Sequence, residues 1–183
     1  MILYHVGFNE IKDVDLKRGR ANADFGQGFY LAPDSEFSLK WATFRNDSKT
    51  YLNKYELDLD GLNVKTFEKN EEWFDYIYKN RNGYNDDLKE YDIIIGPIAN
   101  DILYNILGVT TSGMLDKNIS FKLLMIGKEY LQIVIKSELA KENLKFIESQ
   151  ILNEKDVLKL KKELKKEEKN YQKNVFKILN KLS

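Results

Sequence analysis

Phe25-Gly26-Gln27-Gly28-Phe29-Tyr30-Leu31-Ala32 sets two glycines, one residue apart, ahead of a short apolar and aromatic run. Residues 24–28 read as a turn, and residues 29–32 as a strand stopped by Pro33 and Asp34. Glycine lets backbone approach a ligand closely, and a flat aromatic beside exposed backbone suits a planar, polar heteroaromatic ring. Eleven residues after Tyr30, Trp41 offers a second flat face. Ser38 lies one helical turn before Trp41 on the same side. A hydroxyl and two rings in this arrangement can clamp a carboxamide-bearing ring such as nicotinamide. The ordinary use of Phe29, Tyr30 and Trp41 is core packing. The glycine spacing is also not the dinucleotide-binding fingerprint, which needs a longer spacing and a strand–turn–helix context.

The flanking segments supply a framework for this block. Ile2-Leu3-Tyr4-His5-Val6 reads as a strand and residues 8–18 as a connection. Asp34 or Ser35 can cap a helix carrying Phe37, Leu39, Trp41 and Phe44. Residues 51–59 alternate as a strand ended by Asp60-Gly61, and residues 62–67 are a second extended piece. Residues 71–79 put Trp73, Phe74, Ile77 and Tyr78 at helical spacing. Tyr91-Asp92-Ile93-Ile94-Ile95-Gly96-Pro97 is the strongest strand, a buried β-branched run with a hard stop. Residues 100–107 and 120–125 read as short helices and residues 131–135 as a strand. Short strands mixed with short helices predict an α+β domain.

Composition narrows the chemistry. The chain has 183 residues, 43% of them apolar and 13% aromatic, which is enough to build a core. With no cysteine there is no disulfide framework and no thiolate metal site. A single histidine, His5, argues against a histidine-based metal cluster and against a Ser-His-Asp triad. No apolar run approaches the ~18 residues of a membrane span, and the first residues carry no signal-peptide pattern, so the expected compartment is the cytoplasm. The zero net charge hides a split. Residues 150–183 hold ten Lys against five acids, while the remainder holds 19 basic and 24 acidic residues. The change in composition near residue 148 divides an α+β body, residues 1–148, from a basic amphipathic helical extension, residues 149–183. That extension packs back on the body, binds a partner or dimerises, or steers a nucleic-acid acceptor.

Three features taken in order carry a family resemblance: Tyr4-His5, then Phe-Gly-x-Gly-apolar-Tyr-apolar-Ala, then Ser38-x-x-Trp41. The sequence resembles the ADP-ribosyltransferase superfamily, in its His-Tyr-Glu group of diphtheria toxin and poly(ADP-ribose) polymerases. A longer set is similar to bacterial ADP-ribosyltransferase-like toxin domains of toxin–antitoxin and phage-defence systems. It comprises Asp24-Phe25-Gly26-x-Gly28-Phe29-Tyr30, Tyr55-Glu56-Leu57, Glu72-Trp73, Asn80-Arg81, and Tyr91-Asp92-Ile93-x-Ile95-Gly96-Pro97-x-Ala99-x-Asp101, and it extends the likeness from about residue 3 to residue 147.

The resemblance implies a split two-sheet core with short helices, an activity that expels nicotinamide from NAD, and transfer of ADP-ribose to a protein or nucleic acid. An antitoxin protein is an implied partner. By analogy His5 bonds a ribose hydroxyl, and the backbone at Val6, where the family often has Gly, meets the nicotinamide amide. Gly28 and Phe29 belong to the same NAD site. Tyr30 and Trp41 stack on the two faces of nicotinamide, and Ser38 binds its carboxamide oxygen. Arg81 either contacts the pyrophosphate or forms a surface ion pair. Gln132 falls where the group has its Glu. Either Gln132 holds the ribose while another acid (Asp101, Glu129 or Asp24) supplies charge or activates the acceptor, or the chain is a weak or inactive relative. Asp101 can equally be a helix N-terminal charge. Hydrolysis of NAD by water and binding without chemistry are the rival functions.

Overall fold

Among the described residues the strands form two sheets that meet at one bridge. The computed structural model describes residues 1–99, 121–123, 125 and 129–179. β1 (Ile2–Gly7), β3 (Tyr51–Leu57) and β7 (Leu144–Ile151) form an antiparallel sheet in the order β1-β3-β7. β2 (Phe29–Leu31), β4 (Val64–Thr66), β5 (Ile93–Pro97) and β6 (Leu131–Ile135) form the second sheet, in the order β2-β6-β5-β4. Its β4–β5 pair is parallel and the others antiparallel. α2 (Glu71–Arg81) makes the crossover between the parallel strands. The sheets join where Tyr4 of β1 and Ala32, just past β2, exchange backbone hydrogen bonds of 2.8 and 2.9 Å.

The β-branched run of β5 follows from burial on both faces. Ile94 and, beside it on β6, Val134 pack with Trp73, Phe74 and Ile77 of α2 and with Phe25. Ile93, Ile133 and Ile135 face the other way and meet Leu3, Tyr55 and Leu57 of the first sheet. The helix α2 starts at Asn70, whose side chain accepts from the Trp73 N–H at 3.0 Å. Trp73 is locked in turn by donating its indole N–H to the Pro97 carbonyl at 2.8 Å.

The helix after β2 is shorter than its apolar spacing predicts. Asp34 caps α1 (Ser35–Ser38) by accepting from the Phe37 N–H at 3.0 Å. A 3-10 turn, Leu39–Trp41, follows, and extended backbone at Ala42 ends it before Phe44. The body also runs past the composition change near residue 148. α3 (Glu138–Glu142) and β7 carry the chain to Ile151, and the long helix α4 begins at Glu154 and runs to Leu179. Val157 of α4 is buried, Lys161 donates to the Ala42 carbonyl, and the helix lies against the 3-10 turn that carries Trp41. The helix expected over residues 100–107 lies outside the described residues, and of residues 120–125 the described 121–123 are helical. Among the described residues no helix is long and apolar enough to cross a membrane.

Candidate active site

The Phe-Gly-Gln-Gly turn is built around Tyr30. Gly26 sits at φ +73°, the left-handed region that glycine enters without strain. The Tyr30 hydroxyl donates to the Gly26 carbonyl at 2.7 Å and accepts from the Phe25 N–H at 3.0 Å. Burial, and after it the negative charge of Asp24, pushes the Tyr30 phenol above its ordinary range, so it stays a donor. From the other side Lys136 donates to the Phe25 carbonyl at 2.6 Å and pairs with Asp86.

A cavity of about 300 Å³ opens beside this turn, near the junction of the two sheets. His5 and Val6 of β1, Tyr30 of β2, Ser38 and Trp41 of the following helix and turn, and Arg81 and Gln132 all line it. Asp24 and Arg20 join them. Seven residues read from the sequence as one site therefore share one concavity.

His5 donates from Nδ1 to the Tyr30 carbonyl at 2.8 Å, because a carbonyl can only accept. Burial lowers its pKa below 6.5, so the ring is neutral and Nε2 carries a lone pair. Phe29 packs against the imidazole with ring centroids 4.5 Å apart. Tyr4 directs its backbone groups to Ala32, and strand alternation turns those of Val6, two residues on, to the same side. Ser38 is buried and donates its hydroxyl to the Asp34 carbonyl at 2.8 Å. As seated, it offers a ligand an acceptor and not the donor expected of it. Trp41 is 45% exposed at the rim, edge-on to Phe37.

The densest polar contacts centre on Asp24, which is only 6% exposed. Its Oδ1 receives the Arg81 Nε–H at 2.6 Å and pairs with the same guanidinium through Nη2. Its Oδ2 accepts from the Ala99 N–H at 3.2 Å and from the Gln132 side-chain amide at 3.3 Å. An ionised carboxylate only accepts, so this contact fixes which end of the Gln132 amide is nitrogen. Arg81, expected in a surface ion pair or on a pyrophosphate, lines the cavity and forms an ion pair with Asp24, its side chain 13% exposed.

Other expected residues lie elsewhere. Neither Gly28 nor Phe29 lines the cavity. Phe29 is 8% exposed within the inter-sheet core. A Cβ on Gly28 would lie 2.6 Å from the Ile135 carbonyl oxygen, so this glycine serves the close approach of β2 to β6. Glu129 is exposed and off the cavity wall. Asp101 lies outside the described residues. Arg20, which no sequence motif marks, is exposed at the cavity and makes no ion pair among the described residues. In the sequence nothing separates it from its neighbours Lys17 and Arg18. Among the described residues no group of three or more His, Cys, Asp or Glu could hold a metal ion.

No curated protein matches this chain. A family model described as "Protein of unknown function (DUF3990)" matches residues 1–146, ending within β7 and leaving α4 outside the match. This stretch includes both sheets apart from the last residues of β7, and every described residue that lines the cavity, and on that match the chain belongs to the DUF3990 family.

Proposed function

We propose that this chain is an NAD-dependent ADP-ribosyltransferase, acting in the cytoplasm as a bacterial toxin of a toxin–antitoxin or anti-phage system. It breaks the bond between nicotinamide and ribose and transfers ADP-ribose to a protein or nucleic acid. One observation carries the reading. His5, Tyr30, Ser38, Trp41 and Gln132, ordered in the sequence as in the ADP-ribosyltransferases it resembles, come from separate elements yet line one cavity. A cavity of this size is at the lower end of the range for small-molecule sites, about 300–1,000 Å³, which suits the nicotinamide–ribose half of NAD.

The roles follow from each group's chemistry. The lone pair on His5 Nε2 accepts a ribose hydroxyl. Tyr30 and Trp41 flank the nicotinamide ring, and the outward backbone of Val6 and the Ser38 oxygen meet its carboxamide. Arg20 suits the pyrophosphate, since a guanidinium fork matches phosphate oxygens and Arg81 is already engaged by Asp24.

The test is to incubate the purified protein with NAD and measure free nicotinamide. Label from NAD in whole lysate, followed by separate protease and nuclease digestion, then identifies the acceptor class. Nicotinamide release with labelled macromolecule is expected. Release without label makes the protein an NAD glycohydrolase. No release with any acceptor and no NAD binding by calorimetry overturn the enzyme reading.

A further inference from the structure

We propose that Asp24 supplies the negative charge of this site and that Gln132 supplies the hydroxyl contact, so that two residues 108 positions apart act as one unit. The proposal rests on the NAD-cleaving reading above.

The chemistry requires a charge. When the bond from C1′ to the nicotinamide nitrogen breaks, its electron pair stays on that nitrogen and turns the cationic ring neutral. Positive charge then spreads over C1′ and the ribose ring oxygen, as in other glycosidic cleavages. A lone pair of the acceptor forms the new bond to C1′, and the acceptor's proton passes to water. An amide such as Gln132 can bind a ribose hydroxyl but cannot offset that charge. A fixed carboxylate can, and such preorganised charge is worth ~10²–10³ in rate.

Asp24 is the one acidic residue among the described residues that line the cavity. Arg81 holds Oδ1, while Oδ2 lies toward Gln132 and the Ala99 N–H. The ion pair is thus a dipole whose negative end points to the amide expected to hold the ribose. The same contact turns the Gln132 nitrogen inward, which leaves Oε1 as the end offered to a hydroxyl. No donor among the described residues reaches that Oε1. The Asp24 charge is also felt at Tyr30, the ring assigned to nicotinamide. Asp24 forms no bond and takes no proton; it acts on the reacting atoms through its field.

The test compares the wild type with Asp24→Asn and with the double variant Asp24→Asn/Gln132→Glu. NAD affinity is read by calorimetry, nicotinamide release by kcat, and folding by thermal melting. Asp24→Asn is expected to lower kcat about 100-fold or more with little change in NAD affinity. Gln132→Glu in that background is expected to restore at least a tenth of the lost rate, because it returns a carboxylate to the same corner of the cavity. A purely structural role for Asp24 predicts no such rescue. If Asp24→Asn does not fold, Asp24→Asn/Arg81→Gln removes the whole ion pair and is compared with and without Gln132→Glu. Wild-type kcat in Asp24→Asn, or folded, NAD-binding variants without rescue, overturns the assignment and leaves the NAD reading standing. A wild-type protein that neither binds NAD nor releases nicotinamide overturns both.

Discussion

At the residue scale, His5 and Tyr30 are each fixed by a backbone partner, and each has a measurable consequence. The His5 proton sits on Nδ1, so further protonation falls on Nε2, the nitrogen that the proposed function gives to the ribose. Burial makes that step harder in the folded chain than in the unfolded one, where the ordinary value is 6.5. The unfolded state therefore binds more protons below that value. Stability is full above 6.5 and is lost as the pH falls from there through the lowered folded value. The urea midpoint of the wild type should fall over that interval, and His5→Gln should flatten the fall; an unchanged slope would assign the titration to another group. For Tyr30, removing only the hydroxyl strands the buried Phe25 N–H and the Gly26 carbonyl. Tyr30→Phe should lose about 1–3 kcal/mol of unfolding free energy yet keep the ring and so keep nicotinamide release. Tyr30→Ala should abolish release. Full turnover by Tyr30→Ala would take the ring out of the site.

At the scale of elements, what could be read from the sequence followed from how local each signal is. The Ile93-Ile94-Ile95 run announces a strand because both its faces are covered. The spacing of Trp73, Phe74, Ile77 and Tyr78 announces α2 because it is a local periodicity, and the structure adds the Asn70 cap at its start. β7 gave no such signal: it is an edge strand whose side chains are mostly exposed or half-buried, so Leu144-Lys145-Phe146-Ile147-Glu148 has no clean alternation. α3 is not legible although Ser137 caps it, because five residues leave little periodicity to detect. The site divides the same way. Tyr30, Ser38 and Trp41 are near in sequence and their pattern was legible, whereas the Asp24–Gln132 contact spans the chain and left Asp24 one of three candidate acids. The spacing of Gly28 suggests room for a ligand, but its neighbour is the backbone of β6. A methyl there would also lie 2.7 Å from a Val134 side-chain carbon. Gly28→Ala should therefore force β2 from β6 and cost roughly 1–3 kcal/mol of stability, read by chemical denaturation. Weakened NAD affinity at unchanged stability would return Gly28 to the binding site.

Over the whole molecule, the cavity and both sheets lie upstream of α4, and the excess of positive charge lies almost wholly within it. Among the described residues sheet pairing ends at Ile151, and none that lines the cavity lies beyond Gln132. α4 is tied down near its start, where Val157 is buried and Lys161 bonds to the Ala42 carbonyl, while Leu158 is 48% exposed. A chain ended at Asn153 keeps every described strand and every named site residue. It loses the burial of Val157, worth about 2 kcal/mol, which for a chain of this size lowers the melting temperature by roughly 4–8 °C. The truncated protein should still melt cooperatively and still release nicotinamide from NAD. The reading in which this basic segment steers the acceptor predicts that labelling of the macromolecule drops. Calorimetric melting together with the two activity assays checks this. Loss of cooperative melting would make α4 an integral part of the fold, and undiminished labelling would remove it from acceptor recognition.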